Sequence, residues 1–279
     1  MTFRSRYSSV LSRIFCLVFA VVATTSPAHA QTSAGSISTS TIPVQTDLNL
    51  INIPTTRSLR RHQSYFRLTH RFARDLRRGD FGDLASDLFS LDNGAVIGVE
   101  YRFAITSRVH AGANRSMLSK TIQTFAKWDA VRQSDSLPVS VSLTGSFEGL
   151  NNLRQDYQPG AAVTVSRTFG DALAVYATPA FVWRTRMAAS TAGPDNTALL
   201  GLGARVRFST AGYIVGEYTP RLYGFDPDKG VWGAGIEKRT GGHTLQLNLT
   251  NAFGTTLGQI ARGGSPRDIY LGFNITRQF

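Results

Sequence analysis

Five histidines occur in the chain, and four of them, His62, His70, His110 and His243, lie beyond residue 30. A histidine beside a serine, or beside an aspartate that holds a water, is how a membrane-embedded hydrolase would activate its nucleophile. The spacing here assembles no such set. His243 falls in a tight turn and His62 precedes the first strand. His110 faces an interior near a strand end, and His70 has Arg67 and Arg71 beside it with no serine-hydrolase motif. No His-x-His or Cys-x-x-Cys pattern offers a metal site. Gly201-Leu-Gly203 sits inside a strand pattern, where an inward glycine serves packing better than phosphate binding. The expectation is a non-enzyme with no cofactor and no metal; a hydrolase built on His70 ranks third among the functional readings.

The charged residues are the better lead. Arg67, Arg71, Arg102, Lys127, Arg184, Arg205, Arg207 and Arg221, with Glu100, Asp129, Glu217 and Glu237, fall on the polar side of segments that alternate apolar and polar residues. Eight basic positions face four acidic ones. Rings of Arg and Lys favour anionic solutes, so these twelve could line a narrow pore. The competing reading is a filled, salt-bridged interior, with Glu100–Arg102 and Glu217–Arg221 as local partners.

Those residues need strands to carry them. Alternation with a period of two runs through about twelve segments: 62–73, 94–104, 109–116, 121–131, 138–147, 160–169, 173–184, 199–208, 213–222, 231–238, 244–250 and 268–279. The last sets Leu271, Phe273 and Ile275 against Gly272, Asn274 and Thr276 and ends in Phe279, like the closing strand of bacterial outer-membrane barrels. Connections alternate short and long, as periplasmic turns and outer loops do. Aromatics such as Tyr101, Phe103, Trp128, Phe169, Trp183 and Trp232 gather near segment ends, as an interfacial girdle would. A soluble sandwich or lipocalin-like barrel shares the alternation but buries the apolar face. The agreement of terminal Phe, loop alternation and aromatic placement favours the membrane: an all-β, transmembrane, antiparallel up-and-down barrel. In the long connection 74–93, Phe81, Leu84, Leu88 and Phe89 form one face of a short helix, which either folds into the barrel mouth or caps its rim.

The N-terminus supplies the compartment. Arg4, Arg6 and Arg13 precede the apolar run from Ile14 to Ala23, and Ala28-His-Ala30 is a small-residue cleavage site. This is a signal peptide over 1–30, since the run is about half the roughly 20 residues of a spanning helix. Cys16 is the only cysteine and leaves with it. Residues 31–61 are a flexible leader and linker, Ser/Thr-rich to about Thr46, and 62–279 are the barrel domain. Without residues 1–30 the balance is 27 Lys+Arg against 18 Asp+Glu, or +9. That charge suits lipopolysaccharide phosphates and small anionic solutes. Nucleic acid is excluded as a partner, because no basic run exceeds two residues and export removes the chain from it. The expected partners are outer-membrane lipid, lipopolysaccharide and the barrel-assembly machinery that reads the terminal strand. The location is the bacterial outer membrane.

A set of ordered motifs carries a resemblance: His70-Arg-Phe72, Leu88-Phe-Ser-Leu-Asp-Asn93, Ile97-Gly-Val-Glu-Tyr101, Gly112-Ala-Asn-Arg-Ser116, Lys120, Lys127-Trp128, Arg132-Gln133 and Leu137-Pro-Val-Ser-Val-Ser142. Together they resemble a bacterial family of membrane-bound β-barrel domains of unknown function, over most of the chain beyond residue 30. Arg102-Phe-Ala departs from the family pattern, where Gly and a turn-forming Asp precede the first tight turn. The resemblance implies the fold and the compartment, and no catalytic residue. The leading functional reading is a small-solute channel with a basic lumen; the alternative is a closed structural or adhesive barrel acting through its outer loops.

Overall fold

A computed structural model describes residues 43–88, 91, 94–186, 193–224 and 230–279. The signal-peptide reading, the first part of the leader and Phe89 lie outside the described residues. Thirteen strands follow in chain order: β1 (Ser64–Phe72), β2 (Ala95–Ala104), β3 (Val109–Ser116), β4 (Thr121–Val131), β5 (Ser140–Gly149), β6 (Gln155–Phe169), β7 (Leu173–Val182), β8 (Thr197–Arg207), β9 (Gly212–Thr219), β10 (Arg221–Tyr223), β11 (Val231–Thr240), β12 (His243–Thr250) and β13 (Tyr270–Gln278). Each long strand pairs antiparallel with its neighbour, and β1 closes on β13 from Tyr65↔Gln278 to Arg71↔Gly272. The sheet therefore has no free edge around its girth, the condition for crossing a bilayer with strands.

Twelve strands make the wall, because β10 prolongs β9 past Pro220. Proline has no N–H to give the ladder. Its carbonyl still accepts from the Leu200 N–H at 3.1 Å, so β8 stays paired across the break. The register begins and ends β1 and β13 at the end that carries the short turns, with the long loops at the other.

Side-chain parity follows the sequence. Inward positions along β1 (Tyr65, Arg67, Thr69, Arg71) are buried, while the outward band includes Tyr101, Phe103, Trp128, Leu143, Ile214, Ile236 and Leu247, all exposed. An apolar exterior around a polar interior reverses the soluble arrangement and matches a lipid solvent. Arg167, Lys238 and Arg277 face outward near the short-turn end, where their stems can lie along apolar surface and their heads reach water.

Two elements lie across this wall. Residues 48–55, in the stretch read from sequence as linker, form a tight hairpin with an Asn49↔Pro54 bridge, Leu50 N–H donating to Ile53 O at 2.8 Å and Thr55 N–H to Leu48 O at 2.9 Å. With their flanks they occupy the interior: Val44, Leu48, Leu50, Ile51, Ile53 and Leu59 are all buried. At the long-loop end, helix α2 (Leu257–Ala261) folds inward from the loop between β12 and β13, and Ile260 and Ala261 pack on Ala162, Ala180, Val182, Leu199 and Val231. Helix α1 (Phe81–Ser86) forms in the 74–93 connection but buries no residue, and Phe81 is 73% exposed. The segment that enters the mouth is thus α2.

Candidate functional site

The hairpin is held by the inward charges of the wall. Glu217 on β9 receives three consecutive backbone N–H groups, those of Ile51, Asn52 and Ile53, at 2.9 to 3.0 Å. Arg67 donates to Ile51 O. Arg205 donates to Asn49 O at 2.9 Å while gripping Glu237 with two bonds of 2.7 and 3.0 Å. Arg102 donates to Asn49 Oδ1 at 3.0 Å and Arg71 to Asn52 Oδ1 at 3.3 Å. Gln246 donates to Leu50 O at 2.9 Å. A hairpin inside a barrel has no second strand to satisfy its outer edge, so each buried N–H or C=O needs a wall side chain.

Nearer the short-turn end the chain leaving the hairpin meets a second cluster. Leu59 N–H donates to His110 Nε2 at 3.2 Å, Ser58 donates to Asp129 at 2.6 Å, and Lys127 bridges Asp129 Oδ1 at 2.8 Å and Arg57 O at 2.7 Å. Thr56 and Ser166 hydroxyls meet at 2.5 Å. Burial, and then Arg239, pull the Arg57 pKa down to about 10, which leaves it charged at neutral pH. Shape complements polarity. A methyl at inward Gly203 would collide with Leu50, and one at Gly201 or Gly233 would crowd Ile53 or Ile51.

Ten of the twelve charges read from sequence are thereby brought into the interior: Arg67, Arg71, Glu100, Arg102, Lys127, Asp129, Arg205, Glu217, Arg221 and Glu237 are all buried. Two stand apart. Arg184 follows β7 with φ of 56° and is exposed at the long-loop end. Arg207 ends β8 and reaches Asp171 of the neighbouring turn at 2.9 Å. Glu100 pairs with Arg102 as sequence reading supposed, and lies 3.8 Å from Arg67. Two buried acids were missed. Glu148 is the next inward position of β5, one residue past the end read for that strand; it accepts the Gly258 N–H of α2 at 3.0 Å. Asp47 belongs to the hairpin flank. Among the strand residues, six basic groups therefore face five acidic ones, a far smaller excess than eight against four.

The four histidines beyond residue 30 have structural settings. His110 is buried against Leu59, and His70 faces outward and stacks on Phe273 at 4.7 Å. His62 has φ of 63° ahead of β1, and His243 opens β12. No serine or aspartate is bonded to His70 among the described residues, and no group of three or more His, Cys, Asp or Glu could hold a metal there.

The model of a family described as a membrane bound beta barrel domain (DUF5777) matches residues 46–279. This chain belongs to that family. The match begins two residues ahead of the hairpin, so the hairpin and the wall fall in one family unit. No curated protein matches the sequence. Among solved structures, a KdgM porin aligns with a TM-score of 0.51 at 8% identity, over 78% of this chain and 99% of that one. A KdgM porin in complex with disordered oligogalacturonate gives 0.49 at 9% identity, over 78% and 99%. An outer membrane channel from Pseudomonas putida F1 gives 0.47 at 12% identity, over 79% and 97%. The first likeness establishes a porin-like fold for this family member.

Proposed function

We propose that this barrel is a plugged outer-membrane passage for small solutes, anions in preference to cations, in which the 43–59 segment is the plug. The observation that carries the reading is how the plug is held. Among the described residues it is fastened by hydrogen bonds and side-chain packing, chiefly through its backbone to wall side chains, so release breaks no covalent bond and unfolds no strand. A barrel with no traffic gains little from filling its centre with mobile-length chain when larger wall side chains would do. Short turns and both ends of the wall then lie in the periplasm, from which the plug enters. A second reading, a closed adhesive barrel, draws on the same packed interior and on the long outer loops.

Bilayer conductance separates them. The chain beyond residue 30 has no cysteine, so Thr56→Cys with Ser166→Cys gives a single engineered pair where the two hydroxyls now stand 2.5 Å apart. The oxidised protein is expected to stay silent and the reduced protein to show discrete openings. Silence in both, with the plug also deleted and the barrel still folded, sinks the passage reading and leaves the closed barrel.

A further inference from the structure

Between the hairpin and α2 the interior is not filled. A chamber of about 60 Å³ is bounded by Asn49 and Asn52 of the plug, by Glu100, Arg102, Lys127 and Thr144 of the wall, and by Thr255 beside α2. At roughly 10–15 Å³ per water, it holds about four to six water-sized groups. Four buried polar atoms on its lining residues have no hydrogen-bond partner among the described residues: Asn49 Nδ2, Asn52 Nδ2, Thr144 Oγ1 and Thr255 Oγ1. Such groups cost free energy unless something answers them.

The sign of what is missing can be worked out. The Asn49 and Asn52 amide oxygens already accept from Arg102 and Arg71. Arginine only donates, so the amides cannot be turned over, and the unmatched side of each is its NH₂. The two threonine hydroxyls can donate or accept. The lining carboxylate, Glu100, is already engaged by Arg102 and by Asn114 at 3.4 Å, and Lys127 is held by Asp129 and Arg57 O. The unanswered atoms of the lining are therefore two amide donors and two hydroxyls, and none of them is an acceptor alone. A ligand that answers the chamber must bring acceptor atoms, and a charged acceptor makes the stronger bond.

We infer that the chamber is a binding site for a small carboxylate of acetate size, its oxygens received by the Asn49 and Asn52 amides and the Thr144 and Thr255 hydroxyls. The site names the solute class of the passage proposed above, and rests on that reading only for how the solute arrives. Its parts come from three separate elements, so it exists only while plug and lid are both seated. A carboxylate in the chamber therefore also stabilises the plugged state.

Acetate titrated by calorimetry into the folded chain beyond residue 30, in detergent, tests this, with acetamide as the neutral control of the same shape. Saturable one-to-one acetate binding is expected, with acetamide at least tenfold weaker. Asn49→Asp keeps an oxygen for Arg102 and replaces the donor with an acceptor, and Asn52→Asp does the same toward Arg71. Each should weaken acetate at least tenfold. Thr144→Val and Thr255→Val remove a hydroxyl at constant shape and should weaken it severalfold, with folding of all four followed by the gel shift between heated and unheated barrel. No acetate binding, equal acetate and acetamide binding, or no effect of any folded variant overturns the site. The two proposals fail separately. Acetate binding in a barrel that never conducts removes the passage alone, and conductance without acetate binding removes the chamber alone.

Discussion

Glu217 holds the plug by one carboxylate against three adjacent backbone N–H groups. Removing the carboxylate orphans donors that cost about 1–3 kcal/mol each when buried. Glu217→Ala is therefore expected to speed amide exchange at Ile51, Asn52 and Ile53 by at least tenfold, a factor that about 1.4 kcal/mol suffices to produce. Unchanged exchange would show that the tip is held from elsewhere. Gly203 argues the same contact from the opposite side. A Cβ at Gly203 would fall on Leu50, so a side chain has no room, and Gly203→Leu should expel the tip, at a cost of about 1–3 kcal/mol if the tip is forced to stay. The reading is a spontaneous rise in open-channel events without reductant or truncation; a silent Gly203→Leu barrel counts against a removable plug. Parity in the sequence was enough to send Arg67, Arg71, Arg102, Arg205 and Glu217 inward, and to mark Gly201 and Gly203 as packing positions. It could not say what they pack, because the partner is a hairpin about 150 residues distant whose contacts depend on barrel register.

The wall strands were the most legible elements, since one face meets lipid and alternation must persist along each. The extra length of β6 at Gln155 and of β5 at Glu148 was missed where strands rise beyond the apolar band and the alternation loses its apolar half. The hairpin was read as linker for a physical reason. Its apolar residues are interleaved with Asn, Thr and Asp, a composition that orders only when an outside wall satisfies its backbone. Helix α2 is too short for a helical period, yet Thr256-Leu-Gly-Gln259 is a capping box, and both reciprocal bonds form. That helix supports a prediction of its own. Glu148 accepts from Gly258 N–H and lies 3.7 Å from Arg262, so it is the polar latch of the lid. Glu148→Ala should leave the plugged barrel silent and raise the unit conductance of a plug-released barrel. An unchanged unit conductance would place the narrowest point away from α2.

At the scale of the whole molecule the net charge of +12, or +9 beyond residue 30, says less about transport than the interior does. Buried strand residues number six basic (Arg67, Arg71, Arg102, Lys127, Arg205, Arg221) against five acidic (Glu100, Asp129, Glu148, Glu217, Glu237). Withdrawal of the plug removes Asp47 and Arg57, one charge of each sign, and leaves that balance as it is. Three of the acids lie in close pairs with wall cations, Glu100 with Arg102, Asp129 with Lys127 and Glu237 with Arg205. Arg71 differs: Asn274 and Asn52 take its guanidinium through neutral oxygens at 2.8 and 3.3 Å. The field that a passing ion meets is then that of a nearly balanced ring with about one cation in excess, and rings of that kind bias permeation without filtering it. The plug-released barrel should accordingly favour chloride over potassium by less than about tenfold, read as a small reversal potential under a salt gradient. Arg71→Gln should bring that ratio close to one without loss of folding, because glutamine can still donate to Asn274. Arg205→Glu should behave otherwise. It sets a second carboxylate against Glu237 in a dry site, where breaking a buried pair costs about 3–5 kcal/mol, so its effect appears as lost heat resistance of the barrel before any change in selectivity. A plug-released barrel that passes cations in preference, or whose selectivity is indifferent to Arg71, would mean that permeating ions do not meet this ring.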